Sequence, residues 1–154
     1  MKGPCFEDIR RRHQQILEAV ARLEAALSRE RSASEAPDGG EPLVTALGNF
    51  LDFCESTVEP HMRDEEQHVY PLLDRYLPRE IGSAEARRLE HDTARGLLPL
   101  LRQACARLRQ GAPEAESDVA VMAQDLALLL REHIRKEDGV HQPPPGAAAV
   151  GGRP

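Results

Sequence analysis

Histidine and glutamate recur in this chain at a spacing suited to metal binding. His61 precedes Glu65 by four residues, and His133 precedes Glu137 by the same interval. Side chains four residues apart share one face of an α-helix, so each pair can direct an imidazole and a carboxylate at one point. Two single histidines complete the candidate set: His13 and His91. Imidazole and carboxylate donors suit iron, manganese or zinc, and the sequence therefore predicts a metal site.

His13 and His61 fall on apolar stripes with helical spacing. The stripe that contains His13 consists of Phe6, Ile9, Ile16, Val20, Leu23 and Leu27. Between about residues 43 and 77 a second stripe is Leu47, Leu51, Cys54, Val58, His61, Glu65, His68 and Leu72, and Glu66 points off it. Both patterns predict helices buried along one face. Pro60 and Pro71 each remove a backbone donor, so we expect the second helix to be bent or broken.

Two more helical stripes follow in the second half of the chain. The third is His91, Ala94, Leu98, Leu101, Cys105 and Leu108, in a helix that Ser83 caps and Gly111 closes. Pro99 predicts a kink in it. The fourth is Met122, Leu126, Leu129, His133 and Glu137, in a helix that Ser117 caps. All six candidate ligands therefore lie on faces that are expected to be buried.

Four helices with short links and no β-type alternation predict an all-α, up-down-up-down four-helix bundle. We expect residues 1–140 to form this single domain and the Pro-, Gly- and Ala-rich residues 141–154 to be a disordered tail. His13 and His91 come early in their helices, whereas His133 comes late in the fourth. Antiparallel neighbours would bring these three toward one end of the bundle.

Composition argues against several other classes of protein. A net charge of −6, three Phe, two Tyr and no Trp disfavour nucleic acid as a partner. No apolar run approaches the ~18 residues of a membrane span, and no secretory signal is evident near Met1, so a cytoplasmic location is expected. Three cysteines without a C-x-x-C pair predict neither a disulfide framework nor a thiolate zinc site.

Six candidate ligands are too many for one tetrahedral zinc, and they favour two metal ions. Two carboxylates on alternate helices can each bridge a pair of cations ~3.5–4 Å apart, with imidazoles at both ends. One alternative is a buried histidine–glutamate salt-bridge network, which must desolvate several charges and satisfy them without metal. Another is a ferritin-like site, built from two E-x-x-H motifs. Glu65 to His68 forms one such motif, but the nearest second candidate, Asp138 to His141, lies beside the tail.

The order His, His-x-x-x-Glu, His, His-x-x-x-Glu resembles the hemerythrin-like, HHE cation-binding domain over about residues 6–140. The stretch from His61 to Pro71 is similar to the family's H-x-x-x-E-E-x-x-[LV]-[FY]-P, and Leu130 to Asp138 resembles its closing L-x-x-H-x-x-x-E-[ED]. The resemblance implies two irons, with Glu65 and Glu137 as bridges. It implies four imidazole ligands: His13, His61, His91 and His133.

The sequence departs from the oxygen-carrying hemerythrins at the third helix. Those proteins have a second histidine four residues after the first, and this chain has Arg95 there. The closing motif also lacks its usual aromatic residue, since Val140 precedes His141. The resemblance therefore implies an iron with an exchangeable position, unless His68 or His141 substitutes as a ligand.

The expected function is that of a non-haem di-iron protein that binds or reacts with O2, peroxide or NO in sensing, storage or detoxification. A sensing role would require a separate protein partner. The alternative is a di-iron oxidase or oxygenase that acts on an organic substrate, and it needs a pocket beside the open metal position. Bulky apolar residues flank the candidate ligands along the stripes and favour the small ligand: Ile9, Ile16, Val58, Leu72, Leu98, Met122 and Leu129.

Overall fold

The computed structural model describes residues 5–32, 42–77 and 84–141, and in these ranges the chain is almost entirely helical. Helix α1 is Phe6–Ser32, α2 covers residues 43–76, α3 is Ala84–Arg109 and α4 is Ala115–His141. Helices α1 and α3 each pack against both α2 and α4. The predicted all-α four-helix bundle is confirmed for the described residues. None of the described helices is long and apolar enough to span a membrane.

The predicted stripes form most of the core of the bundle, but several of their residues are exposed or only partly buried. Phe6 is 59% exposed because it is the first residue of α1, and the buried stripe begins at Ile9. On α4, Met122 and Leu129 are only partly buried. The fully covered positions of that helix form a wider surface, because α4 packs against both α1 and α3: Val119, Ala123, Leu126, Ala127, Leu130 and Ile134.

Helix α2 passes through both prolines without a break. It consists of α-helical segments joined by π-helical turns at Cys54–Val58 and Glu65–Val69. Each turn is closed by a hydrogen bond between residues five positions apart. Glu59 N–H donates to the Cys54 carbonyl in the first turn, and Tyr70 N–H donates to the Glu65 carbonyl in the second. Pro60 and Pro71 stand at the start of the α-helical segments that follow. The predicted interruptions are therefore widened turns, in which the missing proline N–H is accommodated.

The second π turn changes which residues of α2 face the core. A π turn inserts one residue into the helix and rotates the following side chains by about 100° relative to the α-helical register. Val69 and Tyr70 are consequently buried, whereas His68 is exposed and Leu72 is 48% exposed. The prediction that His68 and Leu72 continue the buried stripe is wrong for this reason.

At the turn between α3 and α4, the predicted end of α3 is confirmed, but the predicted cap of α4 is wrong. Gly111 has a φ of 86°, and the N–H groups of Gly111 and Ala112 bond the carbonyls of Leu108 and Arg107. This αL glycine closes α3 as predicted. Helix α4 begins at Ala115, so Ser117 lies inside the first turn and does not cap it. The predicted cap Ser83 lies outside the described residues. The predicted tail 141–154 lies outside them as well, except for the backbone of His141, which is the last residue of α4.

Candidate metal centre

All six predicted ligands are buried together inside the bundle. Helices α1 and α3 contribute one imidazole each, and α2 and α4 contribute one His-x-x-x-Glu pair each. The exposed fractions of these side chains are small: His13 1%, His61 2%, Glu65 1%, His91 1%, His133 4% and Glu137 3%. The structure therefore brings together every residue of the predicted set, and their role as ligands stays a prediction.

The first half-site consists of His13 and His61 with the two glutamates. Glu65 Oε1 lies 3.1 Å from His13 Nε2 and 3.0 Å from His61 Nε2. Glu137 Oε2 lies 3.2 Å from His13 Nε2. One donor atom from each of these four residues lies within 4.8 Å of the others. The four atoms thus surround a space of the size that one metal ion requires.

The second half-site consists of His91 and His133 with the same two glutamates. Glu65 Oε2 lies 3.4 Å from His91 Nε2, and Glu137 Oε1 lies 3.2 Å from His133 Nε2. The two Nε2 atoms are 3.0 Å apart. Again one donor atom from each residue lies within 4.8 Å of the others. Each glutamate therefore offers one oxygen to each half-site, which is the arrangement of a bridging carboxylate.

Three of the four imidazoles are oriented by a carboxylate on their outer nitrogen. The contacts join Nδ1 to a carboxylate oxygen: His13 to Asp138 at 2.8 Å, His91 to Glu66 at 2.8 Å, and His133 to Glu90 at 2.6 Å. An Nδ1–H that donates outward leaves the Nε2 lone pair directed inward, as a metal ligand needs. His61 differs, because its Nδ1 has no hydrogen-bond partner among the described residues.

Arg95 does not enter the site but supports it from outside. Its Nη1 lies 2.8 Å from Glu66 Oε1, and its Nε lies 3.0 Å from Glu59 Oε2. The same Glu66 oxygen lies 2.8 Å from His91 Nδ1. Although burial opposes the charge, hydrogen bonds from Arg95 and His91 lower the pKa of Glu66. Glu66 points off the stripe, as predicted, yet it contacts a candidate ligand, which its position in the sequence did not reveal.

Tyr70 is a member of the site that the sequence reasoning missed. Its side chain is fully buried, and its hydroxyl donates to Glu137 Oε1 at 2.7 Å. The Tyr70 hydroxyl oxygen also lies 2.9 Å from His91 Nε2 and 3.4 Å from Glu65 Oε2. An uninterrupted α-helix would turn Tyr70 away, but the π turn at Glu65–Val69 brings it inward. The available signal was its place just before Pro71 in the quoted motif.

Arg87 is a second missed residue, one helical turn before His91. Its side chain is 4% exposed, and Nη1 lies 3.9 Å from Glu137 Oε1. Within the described part of the chain, its Nε and Nη1 atoms have no hydrogen-bond partner. Arg87 shares a helix face with His91, but it is the one buried residue among the Arg, Asp and Glu residues of α3, so its spacing alone did not indicate a buried charge. Its buried charge lies on the same side of the cluster as Tyr70.

The charges at the centre are strongly coupled. Burial alone would raise the pKa values of Glu65 and Glu137, but hydrogen bonds from the surrounding imidazoles lower both, so the two carboxyls are ionised. Burial opposes charge on His13 and His133 as well. Hydrogen bonds to Glu137 and Glu65 outweigh it and raise the pKa of each imidazole to about 10. Without metal, the centre therefore holds protons at neutral pH.

The two histidines considered as substitute ligands are not part of the cluster in the described structure. His68 is exposed, and its Nδ1 donates to the Asp64 carbonyl at 3.0 Å. The backbone of His141 is helical, but its side chain lies outside the described residues. A ligand role for His68 is therefore not supported, and that for His141 stays a prediction.

A small apolar cavity adjoins the centre on the side toward the bundle interior. Three imidazoles, those of His61, His91 and His133, contribute to its wall. Apolar side chains complete it together with Glu90: Ile16, Val58, Met62, Ala94, Leu130 and Ile134. The cavity leaves about 10 Å³ for the centre of a water-sized molecule. Its size and lining suit one very small, uncharged guest.

Comparison with known proteins identifies the family. A family model of the hemerythrin HHE cation binding domain matches residues 6–143, which includes all four described helices. The chain therefore belongs to this family of cation-binding domains, as its motifs predicted. Comparisons with curated proteins and with solved structures gave no significant match.

Proposed function

We propose that this member of the hemerythrin family is a non-haem di-iron protein that binds or reacts with O2, peroxide or NO. The observation that carries the proposal is the division of the two carboxylates: Glu65 and Glu137 each present one oxygen to each of two imidazole pairs. Mixed imidazole and carboxylate donors suit iron, and two bridging carboxylates suit a pair of ions.

The chemistry of the donor atoms fits such a pair. His61 Nε2 and Glu137 Oε2 are buried and make no well-formed hydrogen bond among the described residues. Glu65 Oε1 lies 3.0 Å from the first atom and His13 Nε2 lies 3.2 Å from the second, so each has an electrostatic partner without good hydrogen-bond geometry. A cation between these donor atoms would satisfy both of them.

The two ions would be held by unequal sets of residues. His13 and His61 would hold the first, His91 and His133 the second, and Glu65 and Glu137 would bridge them. The Tyr70 hydroxyl lies among the donor atoms of the second half-site. In sequence, Arg95 stands where the oxygen carriers have their additional histidine on the third helix. We include Tyr70 as a further oxygen ligand, because a bound cation strongly favours the ionised form of a group that it contacts. The first half-site then keeps the exchangeable position.

Bound iron would supply electron exchange and a coordination position for a small molecule, and the protein controls access to it. Ile16, Val58 and Ala94 belong to the apolar cavity wall beside the imidazoles. These side chains give the cavity an apolar lining, which suits a small uncharged molecule such as O2 or NO. Arg87 and Tyr70, which do not line this cavity, place a positive charge and a hydroxyl next to Glu137, and the Tyr70 hydrogen bond holds this carboxylate in place.

Cavity size separates this proposal from an oxidase or oxygenase with an organic substrate. Pockets for organic ligands usually enclose about 300–1,000 Å³. The apolar cavity leaves about 10 Å³ for the centre of a water-sized molecule. This volume is close to the minimum of ~10–15 Å³ that a single water molecule requires. A larger surface cavity of about 410 Å³ lies beside Asp138, but none of the six candidate ligands lines it. The small-ligand function is therefore the better supported one.

Metal analysis with an optical spectrum tests the proposal directly. After iron-replete growth and aerobic purification, we expect about two iron atoms per chain and near-ultraviolet charge-transfer absorption. Manganese in place of iron would keep the two-metal site but revise the metal. One tightly bound zinc per chain, with no iron, would refute the di-iron function.

A further inference from the structure

We infer that the two half-sites bind metal with different affinities: the second, at His91 and His133, binds first and tightly, and the first, at His13 and His61, binds second and weakly. The inference rests on the proposed two-metal function and adds an order of loading and release. Its basis is the unequal support of the four imidazoles from outside the cluster.

Both imidazoles of the second half-site are held in their ligating orientation. Glu90 lies 2.6 Å from His133 Nδ1, and its other oxygen pairs with Lys136 Nζ. Glu66 lies 2.8 Å from His91 Nδ1 and is held in turn by Arg95. Each imidazole–carboxylate contact is thus backed by a cation.

Such support fixes the imidazoles before a metal arrives. The tautomer and the ring orientation are already set, so little rotational freedom is lost on binding. Outer partners of this kind are typically worth about 10–100-fold in metal affinity. The Tyr70 oxygen adds a further donor atom to this half-site alone.

The first half-site lacks this support at one imidazole and has a weaker form of it at the other. His61 has no hydrogen-bond partner for Nδ1 among the described residues, so its tautomer and rotation are not fixed from outside. Asp138, the partner of His13, is 38% exposed, whereas Glu66 is 25% and Glu90 20% exposed.

Asp138 also lines the surface cavity of about 410 Å³, together with Arg10 and Arg11. Water can therefore compete for the carboxylate that orients His13. A metal ion at the first half-site must itself fix the orientation of the His61 imidazole. Its other imidazole ligand, His13, is oriented by a carboxylate that is accessible to water. Both effects weaken metal binding at this half-site.

Unequal affinities predict a stable one-metal form of the protein. When metal is scarce, the second half-site would be filled and the first would be empty. The protein would then gain or lose the ion with the exchangeable position, while the other ion stays in place. Any activity that needs both ions would then rise and fall with the free metal concentration, in the range where the weaker half-site is partly filled.

Chelator titration of the zinc-loaded full-length chain tests the order of release. Zinc is diamagnetic, so the histidine ring resonances can be followed by NMR while bound zinc is counted after desalting. We expect the first zinc to leave with changes at His13 and His61. The second should require at least about 10-fold more free chelator and change His91 and His133.

Three substitutions on α3 and α4 assign the effect to the outer carboxylates. Glu90→Gln should loosen only the zinc that leaves last, by about 10-fold, and Asp138→Asn only the zinc that leaves first. The matched control is Glu132→Gln, because Glu132 neighbours His133 in sequence but is 46% exposed and pairs with Arg135. This control should leave both steps unchanged.

The outcomes separate this inference from the proposed function. Two zinc ions that leave together, with all four histidines changing in parallel, would overturn the unequal half-sites but leave the two-metal proposal intact. The same holds if Glu90→Gln loosens the zinc that leaves first. A chain that never holds more than one metal ion, zinc or iron, would contradict the two-metal proposal itself.

Discussion

The Nε2 atoms of His91 and His133 lie 3.0 Å apart inside the bundle. Both imidazoles direct Nδ1 at a carboxylate, so in the neutral tautomers both Nε2 atoms would carry lone pairs that face each other. Two facing lone pairs repel, and a cation between or beside them removes the repulsion. Hydrogen bonds to Glu137 and Glu65 outweigh burial and raise the pKa of His133, so a proton on His133 can serve as this cation in the absence of metal.

The metal-free protein should lose stability as the pH rises above neutrality. His13 and His133 have folded-state pKa values of about 10, above their ordinary value of 6.5. The stabilisation from their protonation is fully present below about pH 6.5 and is lost as the pH rises to about 10. Denaturant unfolding of the chelator-treated protein at several pH values measures this. A free energy of unfolding that is constant or rises between pH 7 and pH 10 would contradict the pKa assignment.

Replacement of either bridging glutamate should remove metal. Glu65→Ala and Glu137→Ala each delete one oxygen from both half-sites, so we expect less than one metal ion per chain and a lower melting temperature. Glu132→Ala is the control, because the Glu132 side chain is 46% exposed on α4 and pairs with Arg135 at the surface. Glu66 is unsuitable as a control because it contacts His91. Full metal retention in the Glu65 or Glu137 variant would exclude a bridging role.

The Tyr70 hydroxyl should give the oxidised iron protein visible absorption, because an iron-bound phenolate has a charge-transfer band. Tyr70→Phe should abolish this band while two iron atoms per chain remain, since the six His and Glu ligands are intact. Tyr76→Phe is a matched control, because Tyr76 is 70% exposed and lies on the same helix. If the spectra of the Tyr70 and Tyr76 variants are identical to that of the unmodified protein, Tyr70 is a hydrogen-bond donor and not a ligand.

The exchangeable position proposed at the first half-site predicts how the protein reacts with small ligands. That half-site would offer a metal ion only His13, His61 and one oxygen from each glutamate. We expect azide to bind the oxidised form and shift its spectrum without loss of metal. The reduced form should be oxidised by O2 in stopped-flow mixing and should not return to the reduced state under vacuum. Full recovery under vacuum would instead demonstrate reversible oxygen carriage.

The amino-acid sequence by itself determined the four helices and the residues that meet in the middle of them. Apolar residues at helical spacing fix which face of a helix is buried, and this is a local property that can be counted along the chain. The pairs His61/Glu65 and His133/Glu137 share a helix, so their juxtaposition follows from the spacing alone. The Gly111 helix end was equally local, because it depends on one residue with a positive φ.

Only the tertiary structure decided which residues surround those ligands. Tyr70 reaches Glu137 across 67 positions of the sequence, and Asp138 reaches His13 across 125. No helical period relates such pairs, because they depend on which helices are neighbours and at what height they pack. Tyr70 entered the core, and His68 left it, because a π turn changed the register of α2 by one residue. The burial of Arg87 was also decided by tertiary packing, because an arginine is ordinarily exposed and the sequence alone does not indicate that it is covered.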